Sequence, residues 1–229
     1  MNDEISMKPI GRVESCFGEK FGTPRQSGLV PEARGRIVFS KEVPAGACRG
    51  LEEFSHIWIV FLFDQVEETD TRWLVRPPRL GGNEKKGVFA TRSPFRPNRI
   101  GLSLVTLNAV HDDALEVGGL DLVDGTAVLD LKPYLPYAEA IPGATGGFAK
   151  EAPVLLEVRF SDEIRSEVSD DQMVLIRQIL AVDPRPAYHD DDERIYGCLI
   201  DGRNVKWQVR EGRVVVLSQE SLPSGGGMR

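Results

Sequence analysis

The distribution of short apolar runs predicts a mainly β protein, a barrel or a sandwich, followed by a small α+β C-terminal domain. Three observations lead there. Through Phe160, apolar segments last only five to ten residues, mostly alternate, and are separated by Gly, Asp or Pro, with no sustained helical period. The regular helical stretches that would separate the strands of an alternating βα fold are missing. After Phe160 the period changes to a helical one and then back to short strands.

Taken in order, the strands expected are Pro9–Glu14, Gly35–Phe39, His56–Asp64, Gly87–Thr91, Ile100–Val110, Leu115–Leu122, Ala127–Leu131 and Val154–Phe160. The run IWIVFLF is strand-length and ends at Asp64; GVFAT and IGLSLVTL are β-branched and apolar enough to be buried strands. A short helix or turn is expected around Gly50–Phe54. Beyond Ser161, Met173, Ile176, Ile179 and Leu180 keep a helical spacing, with Asp170 or Asp171 as N-cap and Pro184 as the stop. IYGCLI, NVKWQV and RVVVLS follow as a three-stranded meander, turned at Asp201-Gly202 and Glu211-Gly212. The domains expected are residues 1–160 and 161–220, with a disordered tail over 221–229.

Composition excludes several classes. Hydrophobic content of 41% and charged content of 28% are those of a water-soluble globular chain. No apolar run approaches the roughly 20 residues that cross a bilayer. MNDEISMKPIG lacks the basic and apolar regions of a signal peptide. Cys16, Cys48 and Cys198 are odd in number and widely spaced, which fits neither a disulfide framework nor a zinc knuckle and points to a reducing, cytoplasmic setting. His56, His111 and His189 are scattered, so no metal cluster or catalytic triad is readable.

Charge is uneven. From Arg72 to Ser103 there are eight Lys/Arg (Arg72, Arg76, Arg79, Lys85, Lys86, Arg92, Arg96, Arg99) against one acid, Glu84, a local balance of +7. The chain as a whole carries −7, so everything outside this window sums to −14. A cationic island on an acidic protein implies an anionic partner at one face. Pro77, Pro78, Pro94 and Pro97 stiffen the loops that present it.

Two nucleotide-binding signatures fail. Gly82–Gly87 has the spacing of a phosphate-binding loop, but Val88 stands where a lysine must reach the phosphates. No G-x-G-x-x-G follows a strand and opens a helix. PGATGGFA, residues 142–149, is Gly-rich but has no helix after it and reads as a loop.

The functional candidates each have a structural alternative. Arg25, between Pro24 and Gly28, suits a bidentate contact with a carboxylate or phosphate, or is a solvated surface arginine. Arg92, Arg96 and Arg99 are held in a rigid loop, for an anionic partner or for salt bridges to the acidic remainder. Asp64 and Gln65 end an apolar strand, where an acid is usually a cap. Asp121 and Asp124 in LDLVDGT raise the same choice, and Asp124-Gly125 is first a turn signal. Phe89, Phe95 and Tyr134 are base-stacking candidates or simply core. Arg185 in DPRPAY is a rigid cap or a second phosphate contact.

GVFATRSPFRPNRIGLSLV resembles the signature of the TrmO (TsaA/YaeB) family of S-adenosylmethionine-dependent tRNA methyltransferases. PRQSGLV (24–30), RGLEEFSHIWIVFLFDQ (49–65), RPPRLGGN (76–83), LDLVDGT (120–126), KPYLPYAEA (132–140) and DPRPAY (183–188) are similar to further blocks of that family, in the same order. The resemblance implies a single-sheeted β-barrel rather than a Rossmann fold, and methylation of N6 of threonylcarbamoyladenosine beside the anticodon. It implies S-adenosylmethionine contacts from Pro24, Arg25, Gln26, Asp64, Gln65, Arg92, Leu102, Leu122, Asp124, Gly125 and Thr126. Arg96, Arg99, Lys132 and Arg185 are the residues expected to contact RNA, with Arg96, Arg99 and Lys132 as the cations for the threonyl carboxylate; no metal is expected, and the resemblance implies a homodimer. No general base is implied. This chain departs from the family pattern at Asp64, where His is also seen, and at Arg99, a variable position. A small-molecule methyltransferase on the same barrel and a non-catalytic RNA-binding module are the competing classes, the latter disfavoured by the net −7.

Overall fold

The computed structural model describes residues 5–77, 84–185 and 191–221. Six antiparallel strands close into a barrel: β1 (Gly11–Ser15), β2 (Gly35–Phe39), β3 (His56–Leu62), β6 (Ile100–Val110), β7 (Ala114–Gly118) and β8 (Ala127–Pro133). Their order round the barrel is β1-β2-β7-β6-β3-β8, with β8 returning to β1 through Gly11↔Val128. The single-sheeted barrel expected for this chain is therefore present.

Alternation fills the interior. Val13, Ile37, Ile57, Ile59, Phe61, Val105, Leu115, Val117 and Val128 point inward and form one buried cluster. Gly101 is required where β6 passes β3, because a Cβ there would run into the Phe61 ring. The outward residues of β3 are apolar too, since the segment after β8 packs beside them. Trp58 Nε1 donates to Glu139 Oε2 at 2.7 Å, and Tyr134 meets both the Trp58 and His56 rings edge-on. That segment carries α1 (Pro136–Glu139).

Closure has two consequences that the apolar pattern did not anticipate. GVFAT is not a strand: Lys86–Gly87 forms β5, paired only with β4 (Leu74–Val75), and Val88–Ala90 is a 3-10 turn. Likewise β9 (Glu157–Phe160), grouped with the barrel by its position in the chain, lies parallel to the strand Arg213–Ser221 in a second sheet. A closed barrel has no free edge to receive either segment.

The second sheet has the order β10-β11-β12-β9, with β10 (Tyr196–Ile200), β11 (Arg203–Arg210) and β12 (Arg213–Ser221) as the expected meander. Asp201-Gly202 and Glu211-Gly212 all have positive φ, the backbone a two-residue hairpin turn needs. Ser221, placed in the tail by its sequence, ends β12; residues 222–229 lie outside the described residues. Two helices cover the sheet rather than one, α2 (Asp162–Glu167) and α3 (Asp170–Ala181). The cap of α3 is Ser169, not Asp170 or Asp171: its hydroxyl accepts from Gln172 N while Gln172 reaches back, and the two aspartates fall in the first turn against the helix dipole. Ile176, Ile179 and Leu180 are buried as spaced.

The barrel and this sheet are joined by the long β1–β2 loop, residues 16–34. Phe17, Val30 and Ala33 belong to the core of the C-terminal sheet, Phe17 bridges Ile200, and Gln178 Oε1 accepts from Glu32 N.

Candidate active site

The antiparallel registers send β1, β3 and β7 to the same mouth of the barrel, from which β2, β6 and β8 depart. Three loops therefore rim one end: residues 16–34, 63–99 and 119–126. Ten of the eleven residues expected to hold a cofactor lie on these loops, and Leu102 is the third residue of β6 as it leaves the mouth. Segments as far as 113 residues apart in the chain meet here.

One group spans all three loops. The Arg92 guanidinium donates to Gln26 Oε1, joining the second loop to the first. Beside it Asp121, partly buried, accepts from Ser103 Oγ at 2.6 Å and from the amide of Ser27. Burial pushes the Asp121 carboxyl up to about 6, against the opposing pull of Ser103 and the Arg92 charge. Asp121 was weighed from the sequence as a ligand or a cap but not counted among the cofactor contacts, and Ser103 was not singled out at all. Ser103 did leave a signal, being a buried polar residue at an inward position of an apolar strand.

This carboxyl makes a pH prediction. Its folded value lies above its ordinary 3.8, so the native state holds the proton more tightly than the unfolded chain. Stability contributed by the protonated form is present at low pH and is lost as pH rises from about 4 through about 6. Asp121→Asn keeps the shape without the titration, so its thermal midpoint gains on wild type across that interval. A midpoint difference independent of pH would show that Asp121 is not the titrating group.

A second group fixes the rim. Arg12 donates to Gly125 O at 2.6 Å and lies 3.6 Å from Asp64, whose Oδ2 accepts from Ala127 N. Ser15 N donates to Asp124 Oδ1, and Lys20 Nζ to Gln65 O. Asp64 and Asp124 thus act as strand-end and loop caps, and Arg12 and Lys20 join the mouth without any motif to announce them. Gly125 sits at φ 79°, which explains the glycine; its N–H is taken by Val13 O, so that amide is not available to read an adenine edge. Thr126 Oγ1 closes its own turn on Val123 O. The Leu122 side chain is buried in the barrel core, whereas Leu102 is 51% exposed on the outer face. Pro24 is buried beneath the first loop. Exposed residues at the mouth include Arg12, Lys20, Arg25, Gln65, Arg92, Leu102 and Asp124, and the Asp64 side chain is half-buried.

The residues expected to bind RNA do not converge. Arg96 donates to Val88 O and Thr91 O, and Arg99, at φ 51°, donates to Val66 O and pairs with Glu68. Both guanidinium groups hold their own loop together. Lys132 pairs with Asp130 and sits opposite Trp58 near the far end of the barrel. Arg185 is gripped by both oxygens of Asp183, and its carbonyl accepts from Arg25 Nη2 at 2.9 Å. Arg185 therefore contributes by tying the first mouth loop to the C-terminal unit. Arg79 and residues 186–188 lie outside the described residues. The cations left exposed in the island include Arg72, Arg76, Lys85 and Arg92.

Comparison with known proteins points one way. Residues 12–140 match the tRNA-methyltransferase O N-terminal domain, and residues 153–221 the TrmO C-terminal domain. The chain is 47% identical over 230 residues to a tRNA (adenine(37)-N6)-methyltransferase of Escherichia coli, covering 94% of this chain and 98% of that protein. It is 46% identical over 211 residues to a putative S-adenosylmethionine-dependent methyltransferase of Pseudomonas aeruginosa, covering 88% and 91%. A crystal structure of TrmO from that genus and species superimposes with a TM-score of 0.82 at 36% identity, covering 96% of this chain and 99% of that one.

Proposed function

The chain belongs to the tRNA-methyltransferase O family, and on that footing we propose that it transfers a methyl group from S-adenosylmethionine to N6 of adenine 37 in tRNA, the base carrying a threonylcarbamoyl group. The observation that carries the reading is the meeting of the three motif-bearing loops at one barrel mouth, in a chain that matches the family at both of its domains.

The mouth suits such a ligand. Arg25 and Arg92 are exposed cations for a carboxylate, Asp64 is an acid for an ammonium, and Gln65 offers an amide to a diol. Leu102 supplies an exposed apolar surface for the flat face of an adenine. When bound, S-adenosylmethionine supplies an electrophilic methyl group on a sulfonium. The acceptor nitrogen is urea-like and weakly nucleophilic, so the chain's contribution is alignment and exclusion of water. Gln26 holds the Arg92 guanidinium, and Arg185 with Arg25 holds the loop from which Gln26 projects. An anticodon-loop base is already unpaired, so no duplex has to be opened. The protein works in the cytoplasm, where its free thiols and its substrate belong, and as a homodimer with the mouth near the interface.

The test is methyl incorporation at adenine 37 of tRNA together with calorimetric binding of S-adenosylmethionine alone. No cofactor binding at millimolar concentration would sink the proposal. Because the RNA contacts are local to the cationic island, tRNA affinity falls by roughly tenfold or more between about 50 and 200 mM salt despite the acidic total charge. A flat dependence would remove phosphate neutralisation as the binding mode.

A further inference from the structure

Two aromatic side chains stand out on the second mouth loop. Trp73 is 63% exposed and Phe89 71% exposed, with ring centroids 6.1 Å apart and planes at 74°. They are not on a wandering segment. The β4–β5 ladder pairs Leu74 with Gly87, Val88 N donates to Trp73 O at 2.9 Å, and Val88 is buried beneath as the anchor. The fold thus fixes the backbone under both rings and leaves the rings in water.

Cations surround them. Arg96 lies 5.7 Å over the Phe89 ring, and Arg72 stacks 3.9 Å over the neighbouring Phe95. Arg76 and Lys85 are exposed on the same two short strands and their flanks. Phe89 is three residues before Arg92, whose guanidinium reaches Gln26 in the first loop.

We propose that Trp73 and Phe89 form a stacking platform for an unpaired tRNA base next to the methylated adenosine. The inference rests on the tRNA reading above and adds residues to it. Aromatics inside a cationic rim match a nucleobase flanked by its phosphates, because a ring stacks on a base face of any identity while the exposed Arg76 and Lys85 meet the backbone, Arg96 being bonded to Val88 O and Thr91 O and Arg72 to Asp70. A pair of rings offers far less than the roughly 800 Å² per partner that a stable protein interface needs, which favours a base over a second copy as the occupant.

The test uses the full chain with Trp73→Ala, Phe89→Ala, the double variant, and Trp73→Phe as the conservative control. Loss of the platform weakens tRNA binding by roughly tenfold or more in the double variant, while calorimetric affinity for S-adenosylmethionine stays at the wild-type value and Trp73→Phe retains most of the binding. A measurement that truncates no ring accompanies it: tRNA quenches part of the wild-type tryptophan fluorescence, and that part is missing in Trp73→Phe. Unchanged tRNA affinity in the double variant with no Trp73 quenching overturns the platform. So does a change in the mass of the assembly by light scattering with tRNA affinity intact, which would assign the surface to a second copy. Wild-type protein that binds no tRNA overturns the underlying reading instead, so the two failures are distinct.

Discussion

Replacing Arg92 by alanine lowers kcat/KM for methylation by about a hundredfold, the scale of losing a charge-assisted hydrogen bond to a bound carboxylate. The thermal midpoint moves by no more than about 2 °C, since an exposed loop side chain carries little packing. The reason for the large effect is position. Arg92 is where the second loop meets Gln26 of the first, with the charge of Asp121 on the third loop near enough to be felt, so its head group is tied from one side and lies in an acidic field on the other. Arg92→Lys keeps the charge but not the planar fork, and recovers only part of the rate. Steady-state kinetics and a melting curve on the same preparations check this. A collapse of the midpoint would assign Arg92 to holding the loops together rather than to the ligand.

tRNA with plain adenosine at position 37 is methylated on the order of 10³- to 10⁴-fold more slowly than the threonylcarbamoylated form, as happens when a site built for a polar group meets an analogue without it. The threonyl carboxylate must meet a cation, and a bidentate arginine contact is the specific form of that pairing. The sequence nominated Arg96, Arg99 and Lys132 for this. Arg96 and Arg99 are half-buried on Val88 O, Thr91 O, Val66 O and Glu68, and Lys132 lies near the far end of the barrel, whereas Arg12, Lys20, Arg25 and Arg92 are exposed at the mouth itself, which makes them the nearer candidates. The comparison is methyl incorporation into one tRNA taken from cells with and without the threonylcarbamoyl pathway. Equal rates would show that the modification is not what the mouth recognises.

Features governed by neighbours in the chain were legible beforehand. β2 and β6 occupy the residues their alternation marks, the turns at Asp201-Gly202 and Glu211-Gly212 adopt the backbone their residues favour, and the apolar face of α3 is the one its spacing describes. The cap of α3 was misplaced by one residue because Ser and Asp share the same capping chemistry. Only the reach of Gln172 back to Ser169 separates them. The three loops of the mouth were legible as motifs, not as geometry. Nothing local marks Arg12 or Lys20, which enter the mouth through bonds to Gly125 and Gln65, 113 and 45 residues away.

By itself the sequence determined the β-rich architecture, the helix and hairpins of the C-terminal part, the cationic island and the family. All of these reside in periodicity, turn chemistry and motif order, which act over a few residues. Tertiary structure alone decided that GVFAT is a turn and that Glu157–Phe160 joins the second sheet, because barrel closure leaves no edge to pair with. It also decided which arginines are taken up by the protein's own backbone. A guanidinium is equally suited to a phosphate or to a backbone carbonyl, and the choice depends on whether folding brings a carbonyl such as Val66 O or Thr91 O within reach.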